Sequence, residues 1–227
     1  WPLVREIAGG LLVIVLLVGM LYGFTGQPLS GGYPVVVVTS GSMMHCSNGD
    51  TATGVGPSLG KDCDASSFGR IGTIDPGDLV FVRSVGAVGE VHTRAAGGSD
   101  TYGAAGDVIV YRPNNVAGQT PIIHRALFWL QVNADGSFDV AELGLRGVDT
   151  LDQPSLTGLT RCSLATRDVH GQTFGPEESG FITRGDNNAA ADQCPGGTKL
   201  SDPVRLSWVL GKARGELPWI GLVKLFV

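Results

Sequence analysis

Hydrophobic and polar positions divide the 227-residue chain into one long apolar block and a series of short apolar runs separated by turns. No Asp, Glu, Lys or Arg occurs between Glu6 and Asp50. Within that gap Ile7 to Thr25 is almost wholly apolar, with Leu11-Leu12-Val13-Ile14-Val15-Leu16-Leu17-Val18 at its centre. A soluble core helix keeps a polar face and this run has none; as a helix it would span roughly 28 Å, close to the hydrocarbon thickness of a bilayer. A cleavable secretory signal is the rival, but Thr25-Gly26-Gln27-Pro28 offers no prompt small-x-small site. The pattern predicts a transmembrane anchor over 7–25. Arg5 marks 1–6 as a cytoplasmic flank, which leaves the remainder outside the cytoplasm.

Beyond the anchor the period changes. Val35-Val36-Val37-Val38 reads as a short buried strand broken by Thr39-Ser40-Gly41-Ser42-Met43. Asp75-Pro76-Gly77-Asp78 is a turn leading into the strand Leu79-Val80-Phe81-Val82. The pattern recurs at Gly106-Asp107 before Val108-Ile109-Val110-Tyr111, and a third Gly-Asp pair, Gly185-Asp186, follows Phe181-Ile182-Thr183. Pro121 to Val132 predicts a longer strand, with Phe138 to Leu143 returning beside it through Asp135-Gly136. Val204 to Leu210 reads as the last core strand. Residues 44–70 and 144–180 are polar, Gly-rich and weakly periodic, and are expected to be insertions. The expected organisation is a mostly-β domain over 31–215 behind an N-terminal transmembrane helix. Residues 216–227 are too few to span a bilayer, so they predict a membrane-interface segment or the start of a truncated second helix.

Composition supports short strands over long helices, with 35 Gly and 12 Pro. A net charge of −5 gives no basic patch and no case for nucleic acid. The chain starts at Trp1, as a fragment would. Cys46, Cys63, Cys162 and Cys194 are even in number on an exported domain, so two disulfides in any of three connectivities are expected. No Cys-x-x-Cys or Cys-x-x-His pair seeds a zinc site, and neither metal nor cofactor is expected.

Candidate chemistry follows from three places. Ser42 stands beyond a strand end next to Gly41, where backbone N–H groups can face an oxyanion. His124 lies in an apolar strand, and Asp186 and Asp192 share one loop. Serine, histidine and aspartate are the parts of a nucleophilic relay. Each is weak alone, since a polar turn, a half-buried His and a Gly-Asp-Asn turn are common structural features. His45 is an alternative base three residues from Ser42, whereas His92 and His170 sit in polar stretches and are expected to be solvated. Arg125 either pairs with an acid of the site or points to water from the opposite strand face.

Taken together and in order, five segments resemble membrane-bound signal peptidase I of the archaeal and endoplasmic-reticulum type. They are Ser40-Gly41-Ser42-Met43, Pro76 to Val82, Gly106 to Tyr111, Pro121-Ile122-Ile123-His124-Arg125, and Gly185-Asp186-Asn187-Asn188 with Asp192. The run Gly211 to Gly215 before Pro218 also resembles the end of that family's catalytic domain. The resemblance covers about half the chain and implies a signal-peptidase-like β fold with a serine endopeptidase activity. It matches Ser42 to the nucleophile, His124 to the base of the Ser-His-Asp branch and Asp192 to the acidic partner. It further matches Asp186 to a supporting acid and Ser40 to an oxyanion-hole position. Met43 and the apolar strand edges are expected to bind an extended peptide by strand addition.

The partners so implied are the signal peptides of preproteins, cut after small residues, with the lipid bilayer and the translocation machinery nearby. Departures are His45, where the family usually has Pro, and the two insertions, which lengthen the Ser-to-His and His-to-Asp intervals. Within the loop, Asp186 is expected to accept backbone N–H bonds in its own turn. Asp192 is expected to face His124, with the preceding alanines leaving room for the ring and Cys194 fixing the loop. Two rivals remain: a specialised or self-cleaving relative, and a non-enzymatic membrane-tethered module that binds extended peptides.

Overall fold

The computed structural model describes residues 1–27, 32–44, 72–151, 159–160, 162, 164–165, 178–194 and 199–221. Its first element is α1, Pro2–Thr25, longer at its N-terminus than the apolar run. The helix ends where Gly26 takes the left-handed conformation, φ 61°, and returns its N–H to Tyr22 O. α1 has a mean hydropathy of 2.5 in its most apolar window and none of that window is buried in protein. It is long and apolar enough to cross a membrane.

The remainder is mostly β. Strand β1 is Val35–Val37 and β2 is Leu79–Arg83. After the short helix α2, Val85–Val88, come β3 Asp100–Thr101, β4 Ala104–Ala105 and β5 Val108–Tyr111. Next are β6 Ile122–Val132, β7 Phe138–Val140, β8 Leu145–Val148, β9 Thr150–Leu151 and β10 Leu164–Ala165. The last two are β11 Gly180–Arg184 and β12 Val209–Leu217. An eight-stranded sheet runs β1-β2-β12-β5-β6-β7-β8, with β11 also paired to β6, and its pairings are antiparallel.

Burial follows the period of two where one face is wet. In β2, Val80 and Val82 are buried while Leu79, Phe81 and Arg83 are half-buried. All four residues of β5 are buried, because protein covers both faces. Val108, Val80, Ala213 and Val38 pack on one side of the sheet. Ile109, Tyr111, Ala126 and Phe181 pack on the other.

Three expectations need correction. The valine run is not a buried strand: β1 stops at Val37, lies at the sheet edge and is half-buried. Val204 to Leu210 is not the last core strand, since Leu206–Trp208 is a 3-10 turn and β12 begins at Val209. β12 instead takes in the Gly211 to Gly215 run, joining β2 to β5. Gly211 fits there because a Cβ would stand 2.3 Å from Arg83 O. Within 144–180, β8 and the β9–β10 pair carry more regular structure than the weak periodicity suggests. Residues 45–71, with His45, Cys46 and Cys63, lie outside the described residues, as do His170 and 222–227.

The helix end is tied to the sheet. Thr25 O accepts the Ser84 N–H at 2.8 Å and Gln27 Nε2 donates to Leu210 O at 2.6 Å. Phe24 meets Phe81 edge-on with ring centroids 5.8 Å apart, and the Arg83 guanidinium lies 5.3 Å from the Phe24 ring centroid. The apolar helix therefore ends against the same sheet that supports the candidate site.

Candidate active site

β1 leads into a 3-10 turn, Gly41–Met43, that puts Ser42 on a half-buried shoulder. Its middle position leaves the Ser42 N–H outside the turn's own i→i+3 bonding. Asn187, from the loop after β11, holds this turn twice: its N–H donates to Ser42 O at 2.8 Å and its Nδ2 donates to Gly41 O at 3.0 Å. Gly185 permits that approach, since a Cβ there would lie 2.5 Å from Ser42 O. Met43 is buried at 1% exposure among Val38, Ile74 and Val80. It props the turn from below and presents no surface to a peptide, which corrects the expectation that it binds one.

His124 stands on β6 opposite Ile109 of β5 and is 3% exposed. Its Nε2 is 3.0 Å from Ser42 Oγ and its Nδ1 is 2.7 Å from Asp192 Oδ2. The structure thus brings together the three residues singled out from the sequence. With Asp192 ionised, Nδ1 carries the proton and Nε2 faces the serine as an acceptor. Ser40 Oγ is 3.2 Å from Ser42 Oγ, near enough for its hydroxyl to turn toward charge developing beside the nucleophile.

Asp192 is 1% exposed and is positioned by backbone as well as side chains. Its N–H donates to Thr183 O at 2.8 Å, and Leu200 N–H donates to Asp192 O at 2.8 Å. Cys194, two residues on, is joined to Cys162. Besides His124, Oδ2 accepts from Tyr111 OH at 2.8 Å and from Thr183 Oγ1 at 2.7 Å. Burial first, then the charge on Asp192, hold the Tyr111 phenol well above its ordinary range, so it remains a donor. The sequence assigns no role to Tyr111, Thr183 or Asn187, because their contacts depend on strand register and loop closure.

Asp186 lies elsewhere. Its Oδ1 and Oδ2 accept from Arg125 Nε and Nη2 at 2.8 and 2.5 Å. Arg125 is fully buried, so it does not point to water. Its Nη1 also donates to the carbonyls of Thr101, Ala104 and Gly106 at 2.9, 2.9 and 2.6 Å. The pair therefore pins the Gly185–Asn188 turn and the β3–β4 hairpin to β6. Asp186 is expected to accept backbone N–H bonds in its own turn; in the structure its carboxylate takes this guanidinium. The exposed His92 sends its backbone N–H to Asp107 Oδ2 at 2.9 Å.

A small cavity of about 290 Å³ opens beside Ser42. One wall is Val37 to Ser40 and the other is Thr120 to His124. Val37 ends β1, the edge strand of the sheet among the described residues, and a strand edge offers backbone groups to an extended chain. Among the described residues, no group of three or more His, Cys, Asp or Glu side chains is arranged to hold a metal. What the arrangement can do is move a proton from a serine hydroxyl to an imidazole backed by a buried carboxylate. Comparison with protein-family models and with curated proteins gives no match to this chain.

Proposed function

We propose that this chain is a membrane-anchored serine endopeptidase of the signal peptidase I type, removing signal peptides from exported preproteins. The observation that carries the reading is the unbroken path from Ser42 Oγ through His124 to Asp192, 3.0 and 2.7 Å, beside an open strand edge. A substrate strand would lie along 37–40 with its scissile carbonyl over Ser42. Ser42 Oγ attacks while His124 Nε2 takes its proton, and Asp192 stabilises the imidazolium. The oxyanion is met by the Ser42 N–H and the Ser40 hydroxyl. Collapse breaks the peptide bond, with His124 returning the proton to the leaving amine; a water then releases the acyl group by the same base.

The small cavity favours small side chains before the cut. α1 supports a membrane location, and the catalytic domain then stands on the extracytoplasmic face. Holding catalyst and substrate at one bilayer surface beside the translocation machinery removes much of the search. The test is incubation of the purified full chain in detergent with a preprotein, followed by mass mapping of the new termini. One cut after a small residue beyond the apolar segment is expected. Self-cleavage alone would favour a specialised relative, and binding without turnover would contradict an enzyme.

A further inference from the structure

The buried carboxylate of Asp192 is bonded unevenly. Oδ2 takes three donors, from His124 Nδ1, Tyr111 OH and Thr183 Oγ1, at 2.7, 2.8 and 2.7 Å. Oδ1 is buried and has no hydrogen-bond partner among the described residues. A carboxylate free to rotate would share its donors between both oxygens, so the two hydroxyls select which one faces the imidazole. Thr183 is itself oriented: Gln193 Oε1 accepts the Thr183 N–H at 2.9 Å, and Gln193 Nε2 donates to Thr183 Oγ1 at 3.3 Å. That donation occupies a lone pair on the threonine oxygen. The hydroxyl proton then goes to the nearer acceptor, Asp192 at 2.7 Å, in preference to Tyr111 OH at 3.3 Å.

Resting on the serine-peptidase reading above, we infer that Tyr111 and Thr183 are positioning residues that fix Asp192 Oδ2 against His124 Nδ1 and moderate its charge. Neither touches the nucleophile. Tyr111 reaches the carboxylate from β5 and Thr183 from β11, so two strands flanking β6 set the geometry of one side chain. Three donors on one oxygen spread its negative charge, which keeps the proton on Nδ1 and limits how strongly the imidazolium is held. Removing a donor should leave a freer, more basic carboxylate. The imidazole would then retain its second proton to higher pH and meet Nδ1 in a less uniform geometry.

The test uses the full chain in detergent with Thr183→Val, Thr183→Ser and Tyr111→Phe. Thr183→Val and Tyr111→Phe should each lower kcat roughly 10- to 100-fold, as for groups behind other functional histidines. KM should stay within about twofold, because substrate contacts are untouched. The acid limb of the rate profile should move to higher pH, a change that a purely structural role would not cause. Thr183→Ser, which restores the hydroxyl, should recover most of the rate. An independent readout is the low-field NMR resonance of the His124 Nδ1 proton: displaced in Thr183→Val and Tyr111→Phe, and near its wild-type position in Thr183→Ser. An unmoved resonance and rate in both deletion variants would overturn the inference, as would a Thr183→Ser variant no better than Thr183→Val. If the wild-type chain cleaves nothing, the peptidase reading fails separately, and the resonance still decides whether the hydroxyls position the pair.

Discussion

Asp186 and Asp192 share one short loop, yet their carboxylates meet different groups. Asp192 faces the imidazole of His124, and Asp186 takes the fork of a fully buried guanidinium. Asp192→Asn removes the charge that stabilises the His124 imidazolium and puts an amide NH2 into a carboxylate site that only accepts, so cleavage should fall by roughly 10⁴-fold with a smaller change in melting temperature than Asp186→Asn gives. Asp186→Asn leaves the Arg125 charge buried without its counter-ion. That costs on the order of 3–5 kcal/mol, a drop of roughly 6–20 °C for a chain of this size. Paired melts and cleavage rates check both. A normal rate in Asp192→Asn beside a folded but inactive Asp186→Asn would reverse the roles. Residue types pointed to the triad only in combination and order, since each member is weak alone: a Ser after a β-branched run, a His in an apolar strand, an Asp two residues before a Cys. Tyr111 and Thr183 looked like ordinary strand residues, and only the register of β5 and β11 against β6 turns them toward Asp192.

At the level of elements, β12 joins the two halves of the sheet, and it carries a buried ion cluster. Lys212 Nζ and Arg214 Nη2 reach Asp107 at 2.9 and 2.5 Å, and Lys212 Nζ also donates to Glu90 O. Burial alone would raise the Asp107 carboxyl, but the bonds from Arg214, the His92 N–H and Lys212 outweigh it and hold the group below its ordinary range. The folded carboxyl is therefore the stronger acid. Its stabilisation is complete above the unfolded value of 3.8 and is lost as pH falls through the lower folded value. Asp107→Asn should cost on the order of 3 kcal/mol at neutral pH by stranding Lys212, and the gap to wild type should begin to narrow as pH falls below about 4. Denaturation at pH 7 and pH 3 checks it; a gap that widens in acid would contradict the assignment. The strands Val108 to Tyr111 and Pro121 to Val132 were legible because turn residues bracket apolar runs. β12 was not: Gly211, Lys212 and Arg214 break its apolar pattern, since their ion cluster and close backbone approach depend on strands distant in sequence.

For the whole molecule, the central relation is between an apolar helix exposed along its length and a site assembled from three remote segments. Ser42 comes from the turn after β1, His124 from β6 and Asp192 from the loop after β11. The helix could be read from sequence because an apolar length sufficient to cross a membrane is a local property of the chain. The site could be read only as a set of ingredients, because its distances depend on the sheet order β1-β2-β12-β5-β6. The most direct measurement compares preprotein cleavage by the wild-type chain and Ser42→Ala, purified in the same detergent and matched in melting temperature. The account requires the Ser42→Ala rate to be lower by roughly 10⁴- to 10⁶-fold, with uncut preprotein still bound. Substantial cleavage by a pure Ser42→Ala sample would contradict it.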